Sequence, residues 1–323
     1  LNAAENTGKL SCISFATIKK NHLFGLTILG NNSAIPAFDR HPTAQVLTYD
    51  NQVFLIDCGE GTQLQMNRYK IKRSKINHIF ISHLHGDHYF GLIGFITSMG
   101  LMGRTDTLYI YGVPMLMRII TMQLEAASSQ LKFPIQFVPL THQAIILDNP
   151  KIEVTCFPVK HRVDCFGFLF REKKNPRKLI IEQVLSHQIP TYFFGNLQMG
   201  ENYLSEDGTI ISNSLLTTAN QKGLTYAYSA DTIYDESLCD IFRNVDLLYH
   251  ESTYLNDMYD RAASRFHSTA LQAAKIAKIA GVKRLLLGHF SSKYENLSVF
   301  LNEASTIFEP VEIAQEGVTF RIF

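Results

Sequence analysis

The stretch His83-Leu-His85-Gly-Asp87-His88 gathers three imidazoles and a carboxylate within six residues. His83 and His85 lie two apart on an extended or turning backbone, so both can face one cation. Asp87 and His88 lie beyond the turn and can face a second. Imidazole with a few carboxylates is the donor set of zinc, with manganese or iron as alternatives. A catalytic metal keeps open positions, so further ligands are expected from distant loops. His161, Asp231 and His289 each follow a β-rich run and are available for that. Alone, each would read as an ordinary polar residue at a strand end; beside HxHxDH the metal reading is favoured. His22, His41, His78, His142 and His187 have no such context and read as ordinary histidines. Cys58, next to Asp57, reads as buried packing.

These residues need elements to position them, and the same pattern recurs along the chain. Val53–Ile56 runs into Asp57, after which Gly59-Glu-Gly61 opens a helix. Ile79–Ile81 leads to Ser82-His83, Val154–Cys156 precedes His161, and Leu224–Tyr228 precedes Asp231. Leu247–Tyr249 ends at His250-Glu251, and Leu285–Leu287 ends at Gly288-His289. Ser268 to Ala280 predicts a helix, with a Ser/Thr cap, an Ala/Leu/Ile stripe and Gly281 as its stop. Strands interleaved with helices argue a layered α/β protein whose chemistry collects at strand ends. One segment breaks the rhythm. Arg171 to about Gly200 reads as an insertion within a single domain spanning 1–323.

Composition narrows the classes further. The chain has 323 residues, 46% hydrophobic and 18% charged, which excludes wholesale disorder and permits one large core. No apolar run is long enough to span a membrane. The first residue, Leu1, implies a trimmed start, and no secretory leader is expected. Five scattered cysteines without a CxxC pair read as reduced thiols in the cytoplasm. Net charge is +1, too low for a general nucleic-acid coat, so a polyanion would have to be met by local patches. Two exist: Lys70, Lys72, Arg73 and Lys75, and Arg171, Lys173, Lys174, Arg177 and Lys178.

Beyond HxHxDH, the chain carries Ser229-Ala-Asp231-Thr232, His250-Glu251-Ser252-Thr253, Phe266-His267-Ser268-Thr269 and His289-Phe-Ser-Ser-Lys-Tyr294. With these motifs it resembles the metallo-β-lactamase superfamily, and within it the ribonuclease Z family, from about Leu26 onward. The resemblance implies an αββα sandwich with a dinuclear metal site at its edge. It implies one zinc ion on His83, His85 and His161, a second on Asp87, His88 and His289, and Asp231 bridging both. Asp57 matches a residue that orders the metal loop without binding metal. Glu251 and His267 match an acid–histidine pair.

The activity implied is endonucleolytic removal of the 3′ trailer from precursor tRNA by phosphodiester hydrolysis, leaving a tRNA 3′-hydroxyl. Asp87 would orient the attacking water or take its proton, and His267, held charged by Glu251, would protonate the leaving 3′-oxygen. The resemblance also implies a homodimer in which a projecting arm grips tRNA. Arg171 to Gly200 occupies the place of that arm, but its tip, Ile189 to Gly200, has less Gly than expected and no Lys. Two other classes stay open: a related phosphodiesterase or arylsulfatase acting on small esters, and a non-catalytic scaffold subunit. The presence of all seven ligand-type residues argues against the scaffold.

Overall fold

A computed structural model describes residues 24–173, 177–219 and 222–323. Its strands begin with β1 (Phe24–Gly30), β2 (Ala44–Tyr49), β3 (Gln52–Ile56), β4 (Ile76–Phe80), β5 (Leu108–Gly112) and β6 (Ile135–Pro139). There follow β7 (Ala144–Asp148), β8 (Ile152–Pro158), β9 (Phe166–Glu172), β10 (Lys178–Leu179), β11 (Tyr203–Leu204), β12 (Ile210–Ile211) and β13 (Thr217–Thr218). Last come β14 (Thr225–Tyr228), β15 (Leu247–Glu251), β16 (Leu285–Gly288), β17 (Val311–Ile313) and β18 (Thr319–Arg321). One seven-stranded sheet has the order β18-β1-β2-β3-β4-β5-β6, the other β17-β16-β15-β14-β9-β8-β7. In the first sheet β3 to β6 are parallel, and in the second β14 to β17 are. Parallel strands deliver their C-terminal ends to the same sheet edge, so Asp57, His83, Asp231, Glu251 and His289 are brought to common edges.

The helices are α1 (Thr62–Arg68), α2 (Gly86–Tyr89), α3 (Leu92–Leu101), α4 (Met115–Ala126) and α5 (Ile181–Ser186). They continue with α6 (Phe194–Met199), α7 (Asn213–Leu216), α8 (Tyr259–Ser264), α9 (Ala270–Ala280) and α10 (Ser298–Ser305). The period-2 alternation of strand side chains separates the layers. Phe168, Phe170, Tyr226, Tyr228 and Leu286 point inward and meet Leu26, Phe54, Phe80 and Tyr111 of the first sheet. Their neighbours Leu169, Ala227, Leu285 and Leu287 point outward, under α9 and α10. On the other outer face Leu55, Ile79 and Ile110 pack beneath α1, α3 and α4. This is the αββα sandwich that the motifs imply. Full burial of each such large side chain contributes roughly 1.5–3 kcal/mol.

Helix α9 starts at Ala270, two residues later than the sequence suggests. Thr269 is the cap: its hydroxyl accepts the Gln272 N–H, and the Gln272 side chain accepts the Thr269 N–H in return. Ser268 is taken instead by the Thr232 carbonyl at 2.7 Å. Gly281 ends the helix in the left-handed region, as expected. Among the described residues, no helix is long and apolar enough to cross a membrane.

The excursion between β9 and β14 is longer than the pattern of Pro and charge suggests. It continues past Gly200 through β11, β12 and α7 to β13, and Val184, Ile189, Leu197 and Leu216 form a small core of its own. Its two ends lie side by side, because β10 pairs antiparallel with β13. The basic run expected on it is largely elsewhere. Arg171 belongs to β9 and faces Glu153 at 3.8 Å, and the Lys173 ammonium binds Asp148. Lys174 lies outside the described residues, as do Cys12 and His22. From 177 to 219 the chain carries two basic residues, Arg177 and Lys178, against Glu182, Glu201, Glu206 and Asp207. That balance does not favour phosphate.

Candidate metal centre and active site

Three imidazole nitrogens meet at one point. His85 Nδ1 lies 3.0 Å from His83 Nε2 and 3.1 Å from His161 Nε2. Their tautomers follow from what lies behind them. His161 Nδ1 donates to the Phe266 carbonyl at 2.9 Å, which leaves Nε2 a lone pair. Ser82 Oγ gives its only hydrogen to Asp57, so it accepts from His83 Nδ1, and His83 Nε2 is bare too. Burial pushes His83 well down, and burial with His161 beside it pushes His85 down to about 4, so these rings are neutral at pH 7. His85 Nδ1 can donate to only one of its two neighbours. At least one lone pair therefore faces another, and a shared cation resolves that repulsion.

A second set adjoins the first. His88 Nε2 and His289 Nε2 are 3.2 Å apart, and Asp87 Oδ2 lies 3.3 Å from His289 Nε2. Asp231 Oδ2 sits between the two sets, at 3.3 Å from His289, 3.4 Å from His88, 3.7 Å from His83 and 4.0 Å from His161. Burial would raise the Asp231 carboxyl, but His289 and His88 hold it well below the usual range. Burial likewise opposes ionisation of Asp87, and His88 with the hydrogen bond to His289 overcomes it. His88 goes the other way: despite burial, Asp231, Asp87 and Asp57 raise it well above an ordinary histidine. So much carboxylate around a buried ring fits a divalent cation, whose binding would displace the proton there. Among the described residues, {His83, His85, His161, Asp231} and {Asp87, His88, His289} could each hold a metal ion.

Asp57 is fully buried and binds no member of the open cleft. Its carboxylate accepts from Ser82 N–H (2.8 Å), Ser82 Oγ–H (2.9 Å), Tyr228 O–H (2.6 Å) and His88 Nδ1 (2.8 Å). It thereby fixes both the loop and the His88 ring. Asp57, Ala230 and His289 all have φ near +55° to +60°, the left-handed region that costs a non-glycine residue about 1–3 kcal/mol. Three of the turns that lead from strands into the site are thus strained.

Asp231, His267 and His289 also come close enough to hold an ion. His267, however, has its Nδ1 engaged by Glu251 Oε1 at 2.8 Å. Glu251 is fully buried and also accepts from the Thr232 N–H, the Thr253 N–H and the Thr253 hydroxyl. Burial would raise it, but His267 keeps it ionised. In turn, although burial would lower His267, the Glu251 charge lifts it to about 9. Thr253 Oγ1, its hydrogen given to Glu251, accepts from His289 Nδ1 at 2.9 Å. One threonine so couples the acid–histidine pair to a metal-set histidine.

The site opens into a cleft of about 590 Å³. His85, Asp87, Asp231, His267 and His289 line it, while His83 and His88 are fully buried. His41, His78, His142 and His187 take part in neither donor set, and Cys58 packs under α1 and α3. Sequence reasoning missed Ser82, Thr253, Tyr228 and Arg40. Buried Arg40 ties the loop after β1 to the one after β16 through Asn32 Oδ1 and the Tyr294 and Glu295 carbonyls. Thr253 stands inside a recognised motif and Ser82 directly before one; Tyr228 and Arg40 left no comparable signal.

Residues 24–180, just under half of the chain, match the family model for anti-Pycsar protein Apyc1. Ribonuclease Z of Bacteroides fragilis is 40% identical over 297 residues, covering 91% of this chain and 98% of its own. Ribonuclease Z of Cytophaga hutchinsonii is 42% identical over 303 residues, covering 93% and 96%. The crystal structure of human tRNase Z, short form, superposes with a TM-score of 0.67 at 25% identity, covering 92% of this chain and 99% of that one. With that much shared sequence along nearly its whole length, the chain belongs to the ribonuclease Z family.

Proposed function

We propose that this protein is a metal-dependent endoribonuclease that hydrolyses the phosphodiester joining tRNA to its 3′ trailer. The observation that carries the reading is the convergence of the two donor sets with the Glu251–His267 pair in one cleft, within a chain of this family. We assign His83, His85 and His161 to one Zn²⁺ and Asp87, His88 and His289 to another, with Asp231 shared; Mn²⁺ or Fe²⁺ would suit the same donors. Two such cations, when bound, lower the pKa of a water toward about 7 and neutralise phosphate oxygens.

The chain's own groups do the rest. Asp87 is ionised and held by the Ala34 N–H at 2.6 Å, so its carboxylate can accept a hydrogen bond from the attacking water and orient it. Glu251 accepts a hydrogen bond from His267 Nδ1–H and leaves Nε2–H to hand a proton to the departing 3′-oxygen. The P–O3′ bond breaks, the tRNA keeps a 3′-hydroxyl and the trailer keeps the phosphate. Arg162, Arg261, Arg265 and Lys293 line the cleft and suit RNA phosphates. We place the reaction in the cytoplasm, in a homodimer whose arm, the 177–219 excursion, helps to hold tRNA.

A substrate panel tests this reading. Precursor tRNA should be cut at one site, and faster than bis(p-nitrophenyl) phosphate or an aryl sulfate; turnover confined to small esters would replace it with the phosphodiesterase or arylsulfatase reading. The arm is tested by replacing residues 177–219, whose first and last strands β10 and β13 are paired, with a short Gly/Ser linker. Precursor processing should weaken through KM, and small-phosphodiester hydrolysis should stay within a few-fold. The cleft carries four basic side chains, and of the arm's two, Arg177 is engaged by Thr217, so the salt slope of tRNA binding should change by no more than about one phosphate contact. Unchanged KM would show that the excursion takes no part in capture.

A further inference from the structure

Phe90 stands apart from the other residues near the metal sets. It follows His88-Tyr89 directly, caps α2, and is 63% exposed although it is aromatic. Exposure alone means little, because Leu64, Leu101 and Met122 are as exposed. What distinguishes Phe90 is its seat. Its ring lies directly over Gly86: a Cβ placed there would fall 2.2 Å from the ring. Tyr89 holds it edge-on, with centroids 5.0 Å apart. Gly86 sits between His85 and Asp87, so the ring is fixed beside two residues of the donor sets, and all four line the same cleft. Ile35 and Pro36 join it there, and Ala34 next to them binds Asp87.

A flat, apolar ring that is held in place and wet on its open side stabilises nothing by being exposed. In the same cleft, four cationic side chains supply what a phosphodiester backbone needs. An aromatic platform next to a cationic groove is how proteins hold single-stranded nucleic acid without reading its sequence. We infer that Phe90 is a positioning residue on which the nucleobase flanking the scissile phosphate stacks, fixing the strand relative to Asp87 and His267. The inference rests on RNA being the substrate, as proposed above. It also explains a glycine: any side chain at position 86 would displace the platform.

The test combines Phe90 variants with abasic substrates, using the full chain replete with zinc. Precursor tRNA is prepared intact, abasic at the last tRNA nucleotide, or abasic at the first trailer nucleotide. Phe90→Ala should lower kcat/KM on the intact substrate roughly 5- to 150-fold, the worth of one base–aromatic stack. Phe90→Trp should restore it, and Phe90→Leu, apolar but not flat, should not. The unaltered protein should lose a similar factor on one of the two abasic substrates, and Phe90→Ala should lose nothing further on that one. Which substrate it is tells on which side the base lies. Phe90→Ala cutting the intact substrate as fast as the unaltered protein, or losses that multiply on both abasic substrates, would overturn the inference. Metal content and melting temperature report whether each variant is folded. Failure of the unaltered protein to cut any precursor would instead count against the RNA reading. Stacking is then read by quenching of 2-aminopurine in a short single-stranded oligoribonucleotide: quenching lost in Phe90→Ala upholds the platform, and equal quenching in both proteins refutes it.

Discussion

Asp87→Ala should lower hydrolysis of every phosphodiester by at least about a thousandfold and leave the sandwich folded. Three functions meet at this carboxylate. It belongs to the donor set with His88 and His289, it is ionised, and it is fixed by the Ala34 N–H. Alanine removes a member of that donor set, a hydrogen-bond acceptor in the cleft and the anchor of the 33–36 loop together. Asp87→Asn separates these, since the amide keeps the size and can still accept but carries no charge. It should also lose nearly all turnover, because the attacking water needs a negative acceptor. The side chain lies at the cleft and not in any apolar layer, so the folded state should survive in both variants. Initial rates on precursor tRNA and on bis(p-nitrophenyl) phosphate, with circular dichroism as the control, decide the matter. Turnover within ten percent of the unaltered protein would remove Asp87 from the reaction.

His267→Ala should cost about 10²- to 10⁴-fold on precursor tRNA and much less on an activated nitrophenyl ester. A ribose 3′-oxygen leaves poorly without a proton, whereas a nitrophenolate leaves unaided. The pH dependence follows from the same pair. His267 acts as an acid only while protonated, and Glu251 raises it to about 9, so kcat should decline on the alkaline side as that proton is lost. Glu251→Gln removes the raising charge and lets burial lower His267, so the alkaline limb should move to lower pH by about a unit or more. Bound cations lower His267 in both proteins alike, and the difference between them survives. Equal losses on both ester types, or an alkaline limb that ignores Glu251→Gln, would leave His267 a structural or phosphate-binding residue.

The residues that could touch a cation were legible because one local motif, His83 to His88, constrains the chemistry before any fold is known. Isolated strand-end residues such as His161, Asp231 and His289 gained meaning only beside it. The residues that aim these groups were largely hidden. Tyr228 reaches Asp57 across 171 positions of sequence, and Arg40 reaches Tyr294 across 254, distances at which no spacing rule operates. Strands β14, β15 and β16 were visible as short apolar runs because they are buried on both faces. The far end of the 177–219 excursion was not. Two-residue strands and the four-residue α7 carry no periodicity, so the excursion was expected to close near Gly200 when it closes at Thr218. The basic run at its root was misplaced for a related reason: Arg171 and Lys173 meet acidic partners on β8 and β7 that only the sheet brings near.

On the proposed reading, two cations on these seven residues, together with Glu251 and His267, cut precursor tRNA. It is tested most directly by stripping the protein of metal and titrating Zn²⁺ back while bound zinc and cleavage of an end-labelled precursor are followed together. The expected result is two tightly bound ions per chain, full processing only once both are present, and a single cut that leaves the tRNA with a 3′-hydroxyl. Saturation at one ion, or processing that persists in the stripped protein, would contradict it.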